Sequence, residues 1–102
     1  MAKRILIVDD SPTIRKMVGF TLQQAGFEVV EGVDGADALS RAGEQSIHLV
    51  ITDLNMPRMN GIELIQSLRA KAAFRYTPIL MLTTESQTEK KMEGKAAGAT
   101  GW

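Results

Sequence analysis

The chain has 102 residues, with twelve basic and twelve acidic side chains that cancel and a hydrophobic fraction of 44%. That describes one small globular domain, and the charge balance speaks against a nucleic-acid or membrane surface. There is no cysteine, which excludes disulfides and thiolate metal sites, and the start Met1-Ala2-Lys3-Arg4 leads into an apolar run too short for a signal-peptide core or a membrane span, so a cytoplasmic protein is expected.

Ile5-Leu6-Ile7-Val8 is a continuous apolar run ending in Asp9-Asp10, and it reads as a strand buried on both faces. Ser11 before Pro12 is a helix-start signal. Ile14, Met17, Val18, Thr21 and Leu22 then recur at helical spacing as the inward face, and Ala25-Gly26 supplies the stop. Phe27 to Val30 predicts a second strand. Asp34-Gly35 begins a second helix whose inner positions are Ala38, Leu39 and Ala42 and which ends near Gly43.

His48 to Thr52 predicts the third strand, again ending in an acid, Asp53. A loop rich in turn formers follows, with Asn55, Pro57, Asn60 and Gly61, and Met56 and Met59 are expected to be exposed in it. Ile62, Ile65 and Leu68 mark a third amphipathic helix. Ile79 to Leu82 predicts a fourth strand, followed by Thr83-Thr84 and a polar helix from about Ser86 to Ala97, with Met92 and Ala96 inward. Gly98 to Trp102 reads as a turn into a fifth strand. Strands alternating with helices give a parallel sheet covered on both faces, with right-handed crossovers.

In such sheets ligands bind beyond the carboxyl ends of the strands, so Asp9, Asp10 and Asp53 are expected to converge on one rim. Carboxylates that close resist ionising together unless a cation lies between them. The set is too small for a calcium cage and suits magnesium, which takes one or two carboxylates, keeps waters and bridges to phosphate. A carboxylate can also act as a nucleophile and carry a phosphoryl group. Thr83 has two readings: its hydroxyl bonds a phosphoryl oxygen on this rim, or it caps the next helix.

The chain resembles the receiver domain of two-component response regulators, of the CheY-like, single-domain chemotaxis type. The resemblance is carried by Ile5-Leu6-Ile7-Val8-Asp9-Asp10-Ser11, Thr52-Asp53-Leu54-Asn55-Met56-Pro57, Met59-Asn60-Gly61, Pro78-Ile79-Leu80-Met81-Leu82-Thr83 and Ala97-Gly98-Ala99-Thr100-Gly101-Trp102. It implies a flavodoxin-like, doubly wound α/β fold of strand order 2-1-3-4-5, with residues 1–102 as one receiver domain. It implies Asp53 as phosphoacceptor and Asp9 and Asp10 as the acidic pair that holds Mg2+, completed by the backbone carbonyl of Asn55. It implies Thr83 as the hydroxyl that moves toward the phosphoryl group, Trp102 as the aromatic switch, and the side chains of Asn55 and Glu85 as those that tune dephosphorylation. The implied partners are a sensor histidine kinase and a downstream target protein, and the implied activity is a switch that catalyses only its own phosphorylation and dephosphorylation.

The family pattern continues beyond the aromatic position to a lysine that contacts the phosphoryl group, whereas the sequence ends at Trp102. The expectation is a domain incomplete at its C-terminus, lacking that lysine, most of the fifth strand and the last helix. Lys90, Lys91 and Lys95, on a solvent-facing helix, and Lys71, at a helix end, do not substitute for it. Phosphorylation is then expected to be impaired, and the uncovered fourth strand to promote self-association. A non-signalling, self-associating fragment is therefore one alternative reading, and two other functions compete. A haloacid-dehalogenase-type aspartate phosphotransferase needs a second acid where Asn55 stands, and an FMN binder would have its phosphate repelled by Asp9-Asp10. His48, at the far rim, is expected to be structural. Arg69, Lys71 and Arg75 are expected to form a solvated helix end.

Overall fold

Ile5, Leu6, Ile7 and Val8 are each 2% exposed or less, as a strand covered on both faces requires. They form β1 (Arg4–Val8), which the computed structural model places at the centre of a parallel sheet; the structure describes residues 2–82 and 88–101. The chain continues through α1 (Pro12–Gln24), β2 (Glu28–Gly32), α2 (Gly35–Ala42), β3 (Leu49–Thr52), α3 (Gly61–Arg69), a 3-10 turn over Ala72–Phe74, β4 (Ile79–Met81) and α4 (Thr88–Ala97). The sheet order is β2-β1-β3-β4, every pairing parallel. This is the doubly wound, flavodoxin-like fold. α1 packs on β1 and β2, while α2, α3 and α4 form the opposite layer. That layer encloses the main core, built on Leu6, Val8, Val50, Leu64, Ile65, Leu68, Ile79 and Met81.

The helix starts follow from local chemistry. The Ser11 hydroxyl accepts from the Ile14 N–H with Pro12 at the first helical position, and Asp34 caps α2 through the Asp37 N–H. Asn60 and Glu63 form a reciprocal capping box on α3. Gly26, at φ +95°, takes the left-handed conformation that ends α1.

The structure corrects several expectations. β2 begins at Glu28 and runs to Gly32, so Phe27 lies before it; β3 begins at Leu49 and β4 stops at Met81. On α1, Ile14, Met17 and Thr21 are exposed, and the helix seats itself through Val18, Gly19 and Leu22. A Cβ at Gly19 would meet Val29 and Ile7 at ordinary contact distance, so this buried position on α1 has room for an alanine without moving the helix. On α4, Met92 is 64% exposed and Ala96 is exposed, while Gly94 is buried against the Met81 sulfur. The closest approach is at the residue with no side chain, which apolar periodicity does not register. Met56 joins the core and Met59 is half-buried, packed over Gly35, because the loop after β3 folds back onto the start of α2.

The outer edge of β4 is engaged rather than open along its length. Gly101 makes a parallel bridge with Leu80, the Thr100 N–H donates to Ile79 (2.7 Å), and the Met81 N–H donates to Gly101 (2.9 Å). Arg69 also differs from its reading as a solvated helix end. Its guanidinium donates to the carbonyls of Phe74 and Thr77 (both 2.6 Å) and twice to that of Gly98 (2.9 and 3.1 Å). Gly98, at φ +115°, is where this side chain passes; a Cβ there would lie 2.9 Å from Arg69 Cγ.

Candidate functional site

Strand register builds the site. Val8 pairs with Thr52, so the next residue of each strand, Asp9 and Asp53, emerges side by side at the carboxyl end of the sheet. The Asp53 N–H donates to the Val8 carbonyl (2.9 Å), which extends the ladder by one step and fixes that juxtaposition. Asp10 follows directly. Carboxylate oxygens of Asp9, Asp10 and Asp53 all lie within 4.8 Å of one another.

The three acids differ in surroundings. Asp9 is buried and accepts from the Ser11 N–H (2.8 Å), while its backbone carbonyl takes a bond from Arg15 Nη1 (2.6 Å). Arg15 also pairs with Glu31 (3.2 Å), so it anchors the end of β1 to β2. Asp10 is exposed. Asp53 is half-buried, and its Oδ1 accepts from the Leu54 N–H (2.7 Å). Burial pushes the Asp53 carboxyl above its ordinary value, and the charges of Asp9 and Asp10 add to this against the backbone N–H groups of Leu54 and Asn55. Among the described residues none of the three acids forms an ion pair.

The donor set fits magnesium. It consists of hard oxygens at one rim, with mutual repulsion that a divalent cation would relieve, and it includes neither sulfur nor imidazole. Asn55 follows Asp53 at an exposed position in the same loop. Thr83, Glu85 and Trp102 lie outside the described residues. Leu82, the last described residue before Thr83, lines the depression over the acids together with Ile14, Met17 and Val18. The Leu82 N–H donates to Thr52 (2.9 Å), so the chain leaves β4 toward this same rim. His48 stands at the opposite end, where its Nδ1 accepts from the Arg4 N–H (2.9 Å), a structural role.

Two further residues bear on the site: Gly61, which the sequence marks as a turn former but not as a close contact of Asp53, and Arg58, which the sequence pattern does not single out. Gly61 packs so closely on the loop that a Cβ would lie 2.2 Å from the Asp53 carbonyl oxygen, and its N–H donates to the Leu54 carbonyl (2.8 Å). Arg58, at φ +67°, pairs its guanidinium with the buried carboxylate of Asp34. The Asp37 backbone N–H, and after it the Arg58 guanidinium, hold the Asp34 carboxyl below its ordinary value. The capping aspartate was legible from the Asp34-Gly35 pair, but its partner from a distant loop was not.

Comparison with known proteins agrees with this geometry. Residues 5–102 match the response regulator receiver domain. The chain is 39% identical to chemotaxis protein CheY-3 of Vibrio cholerae over 97% of its own length and 77% of that protein. It is 36% identical to chemotaxis protein CheY of Pseudomonas aeruginosa, covering 81% of it. The solved structure of Vibrio cholerae chemotaxis protein CheY4 superposes with a TM-score of 0.97 at 50% identity, over the whole of this chain and 85% of that one. Receiver domains of this kind are signalling switches rather than turnover enzymes. No helix among the described residues is long and apolar enough to cross a membrane. With matching motifs, sheet order and acidic rim, the chain belongs to the response regulator receiver domain family, in its CheY-like form.

Proposed function

We propose that this domain accepts a phosphoryl group on Asp53 from a histidine kinase and thereby alters a partner-binding surface. The observation that carries the reading is the cluster itself: three carboxylates within 4.8 Å at the ends of paired strands, without a cation partner among the described residues. In the step, an Asp53 carboxylate oxygen attacks the phosphorus of a phosphohistidine. The new P–O bond forms as the P–N bond breaks, and the imidazole leaves and takes up a proton. Asp9, Asp10 and Asp53, with the Asn55 carbonyl, would hold magnesium. Bound there, the ion supplies charge neutralisation for the transferred oxygens. The Leu54 N–H orients the acceptor carboxylate through its bond to Oδ1. Thr83 and Trp102 are the switch pair in this reading, and Asn55 and Glu85 regulate access of the hydrolytic water. The changed surface is offered to a downstream protein, a two-state switch biased by new charge.

Intact-mass measurement after incubation with a small acyl phosphate and Mg2+ tests this. The expected result is gain of one phosphoryl group by the wild type and none by Asp53→Asn. Equal modification of both proteins would overturn the assignment.

A further inference from the structure

The loop between Asp53 and α3 contains a turn that the site reading leaves unexplained. The Met59 N–H donates to the Pro57 carbonyl (2.8 Å) across Arg58, whose φ is +67°. A three-residue turn with its central residue at positive φ is rare and strained, and among the described residues Arg58 is the one non-glycine in that region. Strain of this kind persists when the surroundings over-determine it, and it concentrates at ligand clamps and switch regions.

The surroundings here are specific. The Arg58 guanidinium grips the carboxylate of Asp34, which is 5% exposed and caps α2. The neighbouring Met59 packs over Gly35, the first residue of that helix; a Cβ at Gly35 would sit 2.7 Å from Met59 Cβ. At the far end of the loop, Asn60 caps α3 and Gly61 presses on the Asp53 carbonyl. Asp53 and the exposed Asn55 therefore lie on a segment pinned at α2 and at α3. The Arg58 side chain is 75% exposed, and an ion pair with one such partner contributes little to stability. Stability gained does not account for an arginine in a conformation that glycine or asparagine adopts more readily.

We infer that the Arg58–Asp34 pair is a positioning device for the acidic site: it ties the loop to α2 so that the Asp53 carboxylate and the Asn55 carbonyl stay presented on the rim. This rests on the reading of Asp9, Asp10 and Asp53 as a magnesium site. Electrostatics and positioning predict opposite signs. Loss of a positive charge by itself can only favour binding of a divalent cation, whereas releasing the loop weakens it.

Calorimetric titration with Mg2+ of the wild type, Arg58→Gly and Arg58→Asn decides between them. Both replacements accept positive φ, so the fold is retained, which thermal melting without metal checks. The expected result is about tenfold or greater loss of Mg2+ affinity in both variants, with the melting midpoint not lowered. Affinity equal to or tighter than wild type in either folded variant overturns the positioning role. Absence of Mg2+ binding by the wild type overturns instead the site reading beneath it.

Discussion

At the carboxyl ends of β1 and β3, three carboxylates face one another with no ion pair among the described residues, whereas at the end of α3 one guanidinium is fully engaged. Arg69 bonds the carbonyls of Phe74, Thr77 and Gly98 and reaches the Thr100 hydroxyl (3.5 Å). Both regions bring polar groups together at the margin of the same sheet. In the second, every strong donor meets an acceptor of the chain itself, and the product is mechanical: the 3-10 turn, the lead into β4 and the residues bridging its edge are tied to one side chain. In the first, like charges face one another without a cationic partner among the described residues. Like charges held together by a rigid register make the rim the candidate functional site, whereas the saturated network at Arg69 ties segments of the fold together.

The sharpest way to break this comparison is at Arg69. Arg69→Met leaves several carbonyls without their charged donor, and a hydrogen bond to a charged group contributes about 1.5–3 kcal/mol. A loss of about 3 kcal/mol in urea unfolding is expected. Arg69→Lys should recover little of it, because an ammonium lacks the planar fork that serves separate acceptors. The acidic rim lies outside this network, so Mg2+ affinity of the folded variant should stay close to that of the wild type. A large loss of affinity would show that the two regions are coupled.

Next in size is Gly61→Ala. At the first position of a helix, alanine would ordinarily gain up to about 1 kcal/mol over glycine. Here the added Cβ would sit 2.2 Å from the Asp53 carbonyl oxygen and 3.1 Å from Leu54 Cα, both backbone. Overpacking against atoms that cannot rotate away reverses the sign, to a net cost of about 2 kcal/mol in the same unfolding experiment. A stabilised variant would mean that the loop yields freely and does not fix Asp53.

The sheet and the acids were legible because both signals are local. Ile5 to Val8 and Leu49 to Ile51 are apolar without interruption, the second followed by the β-branched Thr52, and an acid directly after such a strand emerges at the rim. What escaped was whatever depends on a partner distant in the chain. Arg69 reads as a solvated helix end because its acceptors lie in other segments, as far away as Gly98. Arg58 reads as an ordinary loop residue because neither its φ nor Asp34 can be seen from its neighbours. On α1, Ile14, Met17 and Thr21 were read as inward and are exposed, because periodicity locates an apolar face and not what covers it; Met17 is 59% exposed. On α4 the expectation followed Met92 and Ala96 when the contact lies at Gly94.

The smallest effect sharpens the comparison from the acidic side, through Asp53 and pH. Burial first, and then the charges of Asp9 and Asp10, hold its carboxyl above the ordinary value of 3.8 in the folded protein. An acid raised in the folded state is more easily ionised unfolded, so stability falls as pH rises from 3.8 through the folded value and stays lower above it. Asp53→Asn removes that term. In chelator at neutral pH the variant should melt above the wild type, and the advantage should shrink on acidification, vanishing below 3.8 where both states of the wild type are protonated. Magnesium should work against the advantage by binding the wild type more tightly; at ten times its Kd it adds about 1.4 kcal/mol. Melting both proteins with chelator and with Mg2+, at neutral and acidic pH, checks the sign. A variant less stable at neutral pH in chelator would mean that the three carboxylates do not oppose one another. The rim would then be as saturated as the Arg69 corner, with no unbalanced charge left for a cation to relieve.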